Sequence, residues 1–592
     1  MQAIRGQLDP EPTQSHPSPS RPDIRAALAL LGLCLLVYLP GFFTIAPVDR
    51  DESRFAQASR QMFEAAALPA AQQSPSLHAG GVIVPMVQAR PRLNKPPLIY
   101  WLQSASAAAF TGGVPARDAI WMYRLPSLFA ALAAAFLTWR LGASMFGEAT
   151  GRLAGAALAI CPIFAWEAHQ ARADMVLVAV TTGAVFLLWR AYAGSNGLAQ
   201  APRVSASSVL GFWLLVAAGV MTKGPITPLV VAMTALTLGL ASNQWRWLLS
   251  LRPAAGMLIV AAVVGPWVFA VGRHVGWETY LATIASETLG RSVSAKEGHW
   301  GPPGYHLILL PVLFWPGSLL TAAGVAYAWR CSRAVGPTIA GARRVLPSVP
   351  SADLFCLAWI VPMWLMFELI GTKLPHYTMP LYPAIAILSA RAVVAAISPA
   401  RDRLGPSIWL IIGVAIGCGS VALQVVVARS PDGAFALVPL SIAIATALLM
   451  IPLMARAWRQ IRIGAHRALL RTGFIMLLLA WVPLAGLAIP RGISVSRDLA
   501  AAIHAIDPGA QRPLASAGYH EDSLIFLTRG RIERINLEDV PSWLDAHPGG
   551  LVVVQLDGAV LPPGLESLAE IAGFNYSRGQ IVRCALLQRP TQ

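Results

Sequence analysis

Fourteen apolar segments of 15 residues or more recur along this 592-residue chain, and that recurrence constrains its fold more than any other feature. They lie near 26–47, 98–112, 119–141, 151–168, 174–193, 207–223, 225–241, 254–272, 303–329, 352–371, 375–398, 406–428, 435–455 and 472–490. A helix of about 20 apolar residues spans the hydrocarbon of a bilayer, so the pattern predicts a polytopic α-helical membrane protein. Charge content agrees: 12% of residues are charged, against about 25% in soluble domains. A soluble fold would leave too much apolar surface in water. Six cysteines scattered over the chain exclude a disulfide scaffold. The net charge of +16 sits in short gaps between apolar runs, not on one face, so no nucleic-acid partner is expected.

Residues 1–22 are polar and rich in Pro and Ser, which predicts a disordered cytoplasmic tail. Arg21 and Arg25 then precede an apolar run too long for a signal peptide, read as an uncleaved anchor. Arginine-rich gaps mark the cytoplasmic side of such proteins. They hold Arg140 and Arg152, Arg190 and Arg203, Arg246 and Arg252, Arg330 to Arg344, Arg401 and Arg403, and Arg456 to Arg471. Their alternation places the loops 47–97, 169–174, 273–302 and 371–377 and the tail after 490 on the opposite side. The alternation holds only if one early segment does not cross. The shortest, 98–112, is about 22 Å long as a helix, so about 13 spans are expected, with 98–112 at the interface.

From about 497 to 592 charge returns. Strand patterns are expected at 513–518, 551–556 and 580–587, with helices at 497–506, 539–546 and 563–571. This describes a small α/β domain outside the cytoplasm. The expected units are therefore the tail 1–22, a membrane module 23–490 with a catalytic loop 47–97, and a periplasmic domain 497–592.

Ionisable residues at span ends are the functional candidates in such a chain. They gather on the non-cytoplasmic side in five clusters. The first is Asp49-Arg50-Asp51-Glu52-Ser53-Arg54, opening an amphipathic helix expected to lie flat on the membrane. The second is Asn94-Lys95-Pro96-Pro97, where a lysine held by an extended Pro-Pro entry could neutralise a lipid phosphate. The others are Ala171-Arg172-Ala173-Asp174, Glu287 to Trp300 with Arg291, and Lys373-Leu374-Pro375-His376-Tyr377. Each has a plain structural alternative: helix caps for the acids, a snorkelling lysine, hydrogen-bonded histidines. Five clusters on one face point instead to a single polar cavity.

The ordered series Asp51-Glu52-Ser53-Arg54, Lys95-Pro96-Pro97-Leu98, Ala171-Arg172-Ala173-Asp174-Met175, Thr222-Lys223-Gly224-Pro225, Lys373-Leu374-Pro375-His376-Tyr377 and Pro380-Leu381-Tyr382-Pro383 resembles a known superfamily. It is similar to the bacterial lipid-A aminoarabinose transferases and their relatives in the GT-C class, including the dolichyl-phosphate-mannose protein mannosyltransferases. The resemblance covers roughly residues 25–400. It implies a glycosyltransferase of the bacterial inner membrane that moves a sugar from a polyprenyl-phosphate donor to a lipid or glycan acceptor, with membrane lipids as surroundings. It implies Asp51, Glu52 and Asp174 as catalytic acids, Lys95, Arg54 and Arg291 on the donor phosphate, and Lys373, His376 and Tyr377 in the substrate cavity. A divalent metal is an open question. Asn94 stands where aminoarabinose transferases commonly carry Glu, and His78, His299 and His376 are the remaining candidate ligands.

Two other classes compete. A transporter or flippase would need charges at span midpoints and repeated halves. No halves are seen, and Glu368 lies near a span end. A non-catalytic relative would lack Asp51 or Lys95, and both are present. Within the enzyme reading, a protein or another envelope glycan remains open as acceptor.

Overall fold

A computed structural model describes residues 23–69, 80–197, 204–288, 301–333, 351–396, 403–428, 435–486, 494–556 and 564–590. The tail 1–22 lies outside these residues, as do His78 and the stretch holding Arg291, Lys296, Glu297, His299 and Trp300. Eight described helices are long and apolar enough to cross a membrane, or nine if the bent pair Glu148–Ile160 and Pro162–Ala168 counts as one span. The chain is a polytopic α-helical membrane protein carrying a small C-terminal β-sheet domain.

Eight helices build and flank the site: α1 (Ile24–Tyr38), α2 (Asp51–Ala67), α3 (Leu98–Thr111), α4 (Ile120–Phe146), α5 (Glu148–Ile160), α6 (Pro162–Ala168), α7 (Asp174–Ser195) and α8 (Ala206–Lys223). Close packing sets their spacing. A Cβ at Gly151 of α5 would lie 2.3 Å from the Trp139 carbonyl of α4, so only glycine admits this approach. α5 and α6 meet at 61°, where Pro162 takes the first position of α6 and lacks the N–H that would continue α5. α3 has 14 residues and packs on α2 and α4, with Trp101, Leu102 and Phe110 exposed.

α2 corrects one expectation. A helix lying flat on a bilayer keeps its polar face in water, yet Gln57, Arg60 and Gln61 are buried along with Phe55, Met62 and Phe63. The C-terminal domain covers that polar face. Gly530 of the domain, at φ +74°, comes so close that an added Cβ would sit 2.6 Å from the Gln57 amide.

The domain is a five-stranded sheet with β3 (Leu514–Ala517), β4 (Glu533–Ile535), β5 (Leu551–Gln555), β6 (Glu566–Asn575) and β7 (Gln580–Gln588) in the order β4-β3-β5-β7-β6. A short hairpin, β1 (Met86–Val87) with β2 (Arg90–Pro91), precedes it in the chain. β3 runs parallel to β4 and β5, whereas β7 is antiparallel to β5 and β6. Val495, Leu499 and Ile503 of helix Val495–Ile506 cover one face against Val553, Val582 and Leu586. Val540, Trp543 and Leu544 cover the other against Val552, Val554 and Leu587. The helix expected at 563–571 is the first part of strand β6, which pairs with β7 over Glu566–Asn575. Its Ala and Glu residues favour helix in isolation; the ladder to the strongly apolar β7 overrides that propensity.

Candidate active site

Glu52 and Arg124 form the foundation. Arg124 of α4 is fully buried and donates through Nε and Nη2 to the two Glu52 oxygens at 2.8 and 2.9 Å. Its remaining N–H groups reach the carbonyls of Phe42, Ile45 and Ala46 in the turn after α1. Glu52 also accepts from the backbone N–H of Val48 at 2.7 Å and of Ala171 at 2.9 Å. Both charges are thus paired and hydrogen-bonded, as buried charges must be. This staple joins the exit of α1, the start of α2, α4 and the turn before α7.

Asp51, one residue earlier, points the other way. Its side chain is 43% exposed, 3.5 Å from Arg92 and 3.3 Å from Arg172. Burial would raise its carboxyl, but Arg172, Arg92 and Lys95 together outweigh that and hold it well below the usual carboxylate range. Arg172 is itself fixed by Glu167 of α6, whose Oε1 accepts from Nη1 at 3.0 Å. Despite its own burial, Arg172 is pushed further toward the charged form by Glu167, Asp174 and Asp51.

Asp174 is the first residue of α7. Lys223, the last residue of α8, donates to its Oδ1 at 2.6 Å, and the His376 ring lies 3.7 Å away. The Lys223 ammonium also sits 5.2 Å from the centre of the Tyr377 ring. These groups line one cavity of about 240 Å³, with walls from 48–52, Arg54 and Phe55, from Arg92, Asn94 and Lys95, from Trp166, Gln170 and 172–174, from Lys223, and from Thr372, Leu374, His376 and Tyr377.

The structure therefore brings Asp51, Lys95, Asp174, His376 and Tyr377 to one place. Three residues sit otherwise than the motifs imply. Glu52 reaches the cavity wall, but its oxygens are held by Arg124 and two backbone N–H groups. Arg54 also lines the cavity, but its Nε is 2.7 Å from Asp522 of the C-terminal domain. Lys373 is buried, donates to the Ile370 carbonyl at 2.5 Å, and lies outside the cavity lining. Arg291 is outside the described residues. Arg124 and Glu167 were not singled out by motif. Both carry the signal that could have found them, an ionisable side chain inside an apolar run.

The lining carries more cations than acids: Arg50, Arg54, Arg92, Lys95, Arg172 and Lys223 against Asp49, Asp51, Glu52 and Asp174, with Arg54 and Glu52 already paired elsewhere. Such a lining suits a phosphate dianion. Among the described residues no three His, Cys, Asp or Glu groups converge. The Asp174 oxygen nearest His376 already accepts from Lys223.

Comparison with known proteins identifies relatives of the chain and of its fold. Residues 94–269 match the family described as dolichyl-phosphate-mannose-protein mannosyltransferase. The chain is similar to the undecaprenyl phosphate-alpha-4-amino-4-deoxy-L-arabinose arabinosyl transferase of Pseudomonas aeruginosa, at 25% identity over 572 residues, 88% of this chain and 92% of that protein. It is similar to the protein of the same name from Enterobacter at 25% identity over 366 residues, 61% of this chain and 58% of that protein's length. The crystal structure of ArnT from Cupriavidus metallidurans bound to undecaprenyl phosphate superposes with a TM-score of 0.65 at 18% identity, covering 95% of this chain and 97% of that one. The fold is thus the ArnT-like GT-C fold, and the chain is related in sequence to the aminoarabinose transferases.

Proposed function

We propose that this protein is a multi-pass glycosyltransferase of the bacterial inner membrane. It moves a sugar from undecaprenyl phosphate to an envelope acceptor such as lipid A at the periplasmic face. The observation that carries this reading is the cationic cavity around Asp51, together with the activity for which the relatives are named. Beside the eight long apolar helices and the bent pair Glu148–Ala168, this reading takes the shorter or broken apolar stretches Ile24–Tyr38, Ile226–Ser242, Tyr305–Cys331 and His466–Gly486 as crossings, thirteen in all. With the start in the cytoplasm, that count would leave the cavity and the C-terminal domain on the periplasmic side.

In the reaction an acceptor oxygen attacks the anomeric carbon and forms the new C–O bond. The bond from that carbon to the phosphate oxygen breaks with inversion, and undecaprenyl phosphate leaves with the electron pair. Lys95, with Arg92, Arg172 and Lys223 around it, stabilises the charge that develops on the leaving phosphate. Asp51 is held ionised by the same cations, which makes it a weak base. Its part is to orient an acceptor whose oxygen is already ionised, as a phosphate is, or to accept a hydrogen bond from a hydroxyl acceptor whose proton passes to the leaving phosphate.

The test is transfer by the purified enzyme from undecaprenyl-phosphate aminoarabinose to lipid A, read by mass spectrometry. Asp51→Asn should lose turnover while donor binding survives. Lys95→Ala should weaken both by roughly 10–150-fold, the worth of about 1.5–3 kcal/mol for a charge-assisted contact, and Lys95→Arg should recover only part. Wild-type transfer by both Asp51→Asn and Lys95→Ala would defeat the reading.

A further inference from the structure

The residues on either side of Asp51 are held by the C-terminal domain. The tip of the β6–β7 hairpin reaches the turn that opens α2. There the Asp49 backbone N–H donates to the Tyr576 hydroxyl at 2.8 Å, and the Arg50 guanidinium donates to the Ser577 carbonyl at 2.7 Å. The Asp49 carboxylate accepts from the Ser523 N–H at 3.0 Å, and Arg54 pairs with Asp522. The tip is rigid in its own right. Buried Asn575 accepts from the N–H groups of Ser577 and Arg578 and donates to Glu521 at 2.9 Å.

Arg50 has a backbone that arginine does not adopt by choice, φ +64° and ψ −117°. Such a conformation persists only where surrounding contacts over-determine it, and it gathers at functional sites. Here the contacts come from both sides. The Glu52–Arg124 staple fixes the residue after Asp51 from below, and the hairpin fixes the two residues before it from above. If the upper contacts were lost, Arg50 would relax toward negative φ and swing the Asp51 carboxylate away from Arg92 and Arg172.

We propose that the hairpin tip of the C-terminal domain is a positioning element of the active site, with Tyr576 and Arg50 as positioning residues that hold Asp51 in its working geometry. This rests on the reading that Asp51 serves sugar transfer. Tyr576 does not line the cavity, so its effect on turnover must pass through the backbone it holds.

The test measures kcat and donor KM for Tyr576→Phe, Arg50→Ala, Arg50→Lys and Asp51→Asn in the full-length detergent-solubilised enzyme, together with the double variant of Tyr576→Phe and Asp51→Asn. Displacing a catalytic group by about 1 Å can cost about 100-fold. Tyr576→Phe, which leaves the cavity lining untouched, is therefore expected to lower kcat by about 5- to 50-fold with donor KM within about twofold; Arg50→Ala, whose side chain also lines the cavity, should lower kcat by a similar factor, and Arg50→Lys should recover part of the loss. In the Asp51→Asn background Tyr576→Phe should have no further effect, because it acts through the missing carboxylate. Wild-type kcat in both Tyr576→Phe and Arg50→Ala overturns the proposal, as does a loss that adds fully to that of Asp51→Asn or appears only in KM. An active Asp51→Asn enzyme would instead defeat the functional reading. Resistance of each variant to limited proteolysis separates misplacement from misfolding.

Discussion

Neighbouring carboxylates at 51 and 52 have opposite tasks because their partners differ. Glu52 is sealed against Arg124, so removing it would strand a buried guanidinium. Breaking such a pair costs about 3–5 kcal/mol. Glu52→Ala should therefore lower the unfolding temperature in detergent and abolish transfer together. Asp51→Asn, at a half-exposed site, should cut transfer sharply to a low but measurable rate, with little change in unfolding temperature. Asp49 shows a third behaviour. Burial, with Glu521 nearby, pushes its carboxyl up to about 6 in spite of the Ser523 contacts. The folded protein thus holds this proton more tightly than the unfolded chain, whose carboxyl titrates near 3.8. The contribution of Asp49 is intact below about pH 4, is lost as pH rises to about 6, and stays lost above that. A shift of this size is worth about 2–3 kcal/mol. Asp49→Asn keeps an oxygen for the Ser523 N–H, so it should flatten the pH 4–6 part of an unfolding-temperature profile and raise stability at pH 7.

At the scale of elements, α2 depends on what covers it. Asp118 sits between Arg60 of α2 and Arg529 of the C-terminal domain, 2.6 Å from each, with no exposed side-chain surface. The two arginines hold its carboxyl below the usual range against the effect of burial. Asp118→Asn would leave two guanidinium groups facing each other. Hydrogen exchange should rise in α2 and in helix Asp522–Leu527, while α4 and α7 stay protected; unchanged exchange in α2 would contradict this. The same interface shows why α2 was only half legible in sequence. Its apolar stripe is plain, but the partner of its polar face lies more than 450 residues away in Asp522 and Phe526. Strand β6 was misread for a related reason: its local composition says helix, and only the register with β7 says strand.

For the molecule as a whole, the apolar runs carried the helical architecture, because a bilayer forces backbone hydrogen bonds to close within each helix. The ordered motifs also located much of the cavity: Asp51, Lys95, Asp174, His376 and Tyr377 come together from separate loops. What the motifs did not reveal is which charges are spent on structure. Nothing in the string separates Glu52 from Asp51, or shows that Lys373 turns back to the Ile370 carbonyl. The sidedness is open to direct measurement. In spheroplasts of a cysteine-free variant, an impermeant maleimide should label Ser567→Cys on the exposed edge strand. Gln244→Cys, beside Arg246, should react only after lysis. The reverse pattern would invert the topology.

The two-sided grip on Asp51 also orders events during biosynthesis. Arg124 can close on Glu52 once the ribosome has delivered little more than the first fifth of the chain. Tyr576 and Ser577 emerge hundreds of residues later. A nascent chain would therefore carry Arg92, Lys95 and Arg172 long before the contacts that hold the turn ahead of Asp51 can form. Chains that stall or are clipped before residue 576 would insert without the hairpin contacts to Asp49 and Arg50, leaving the turn before Asp51 held from one side.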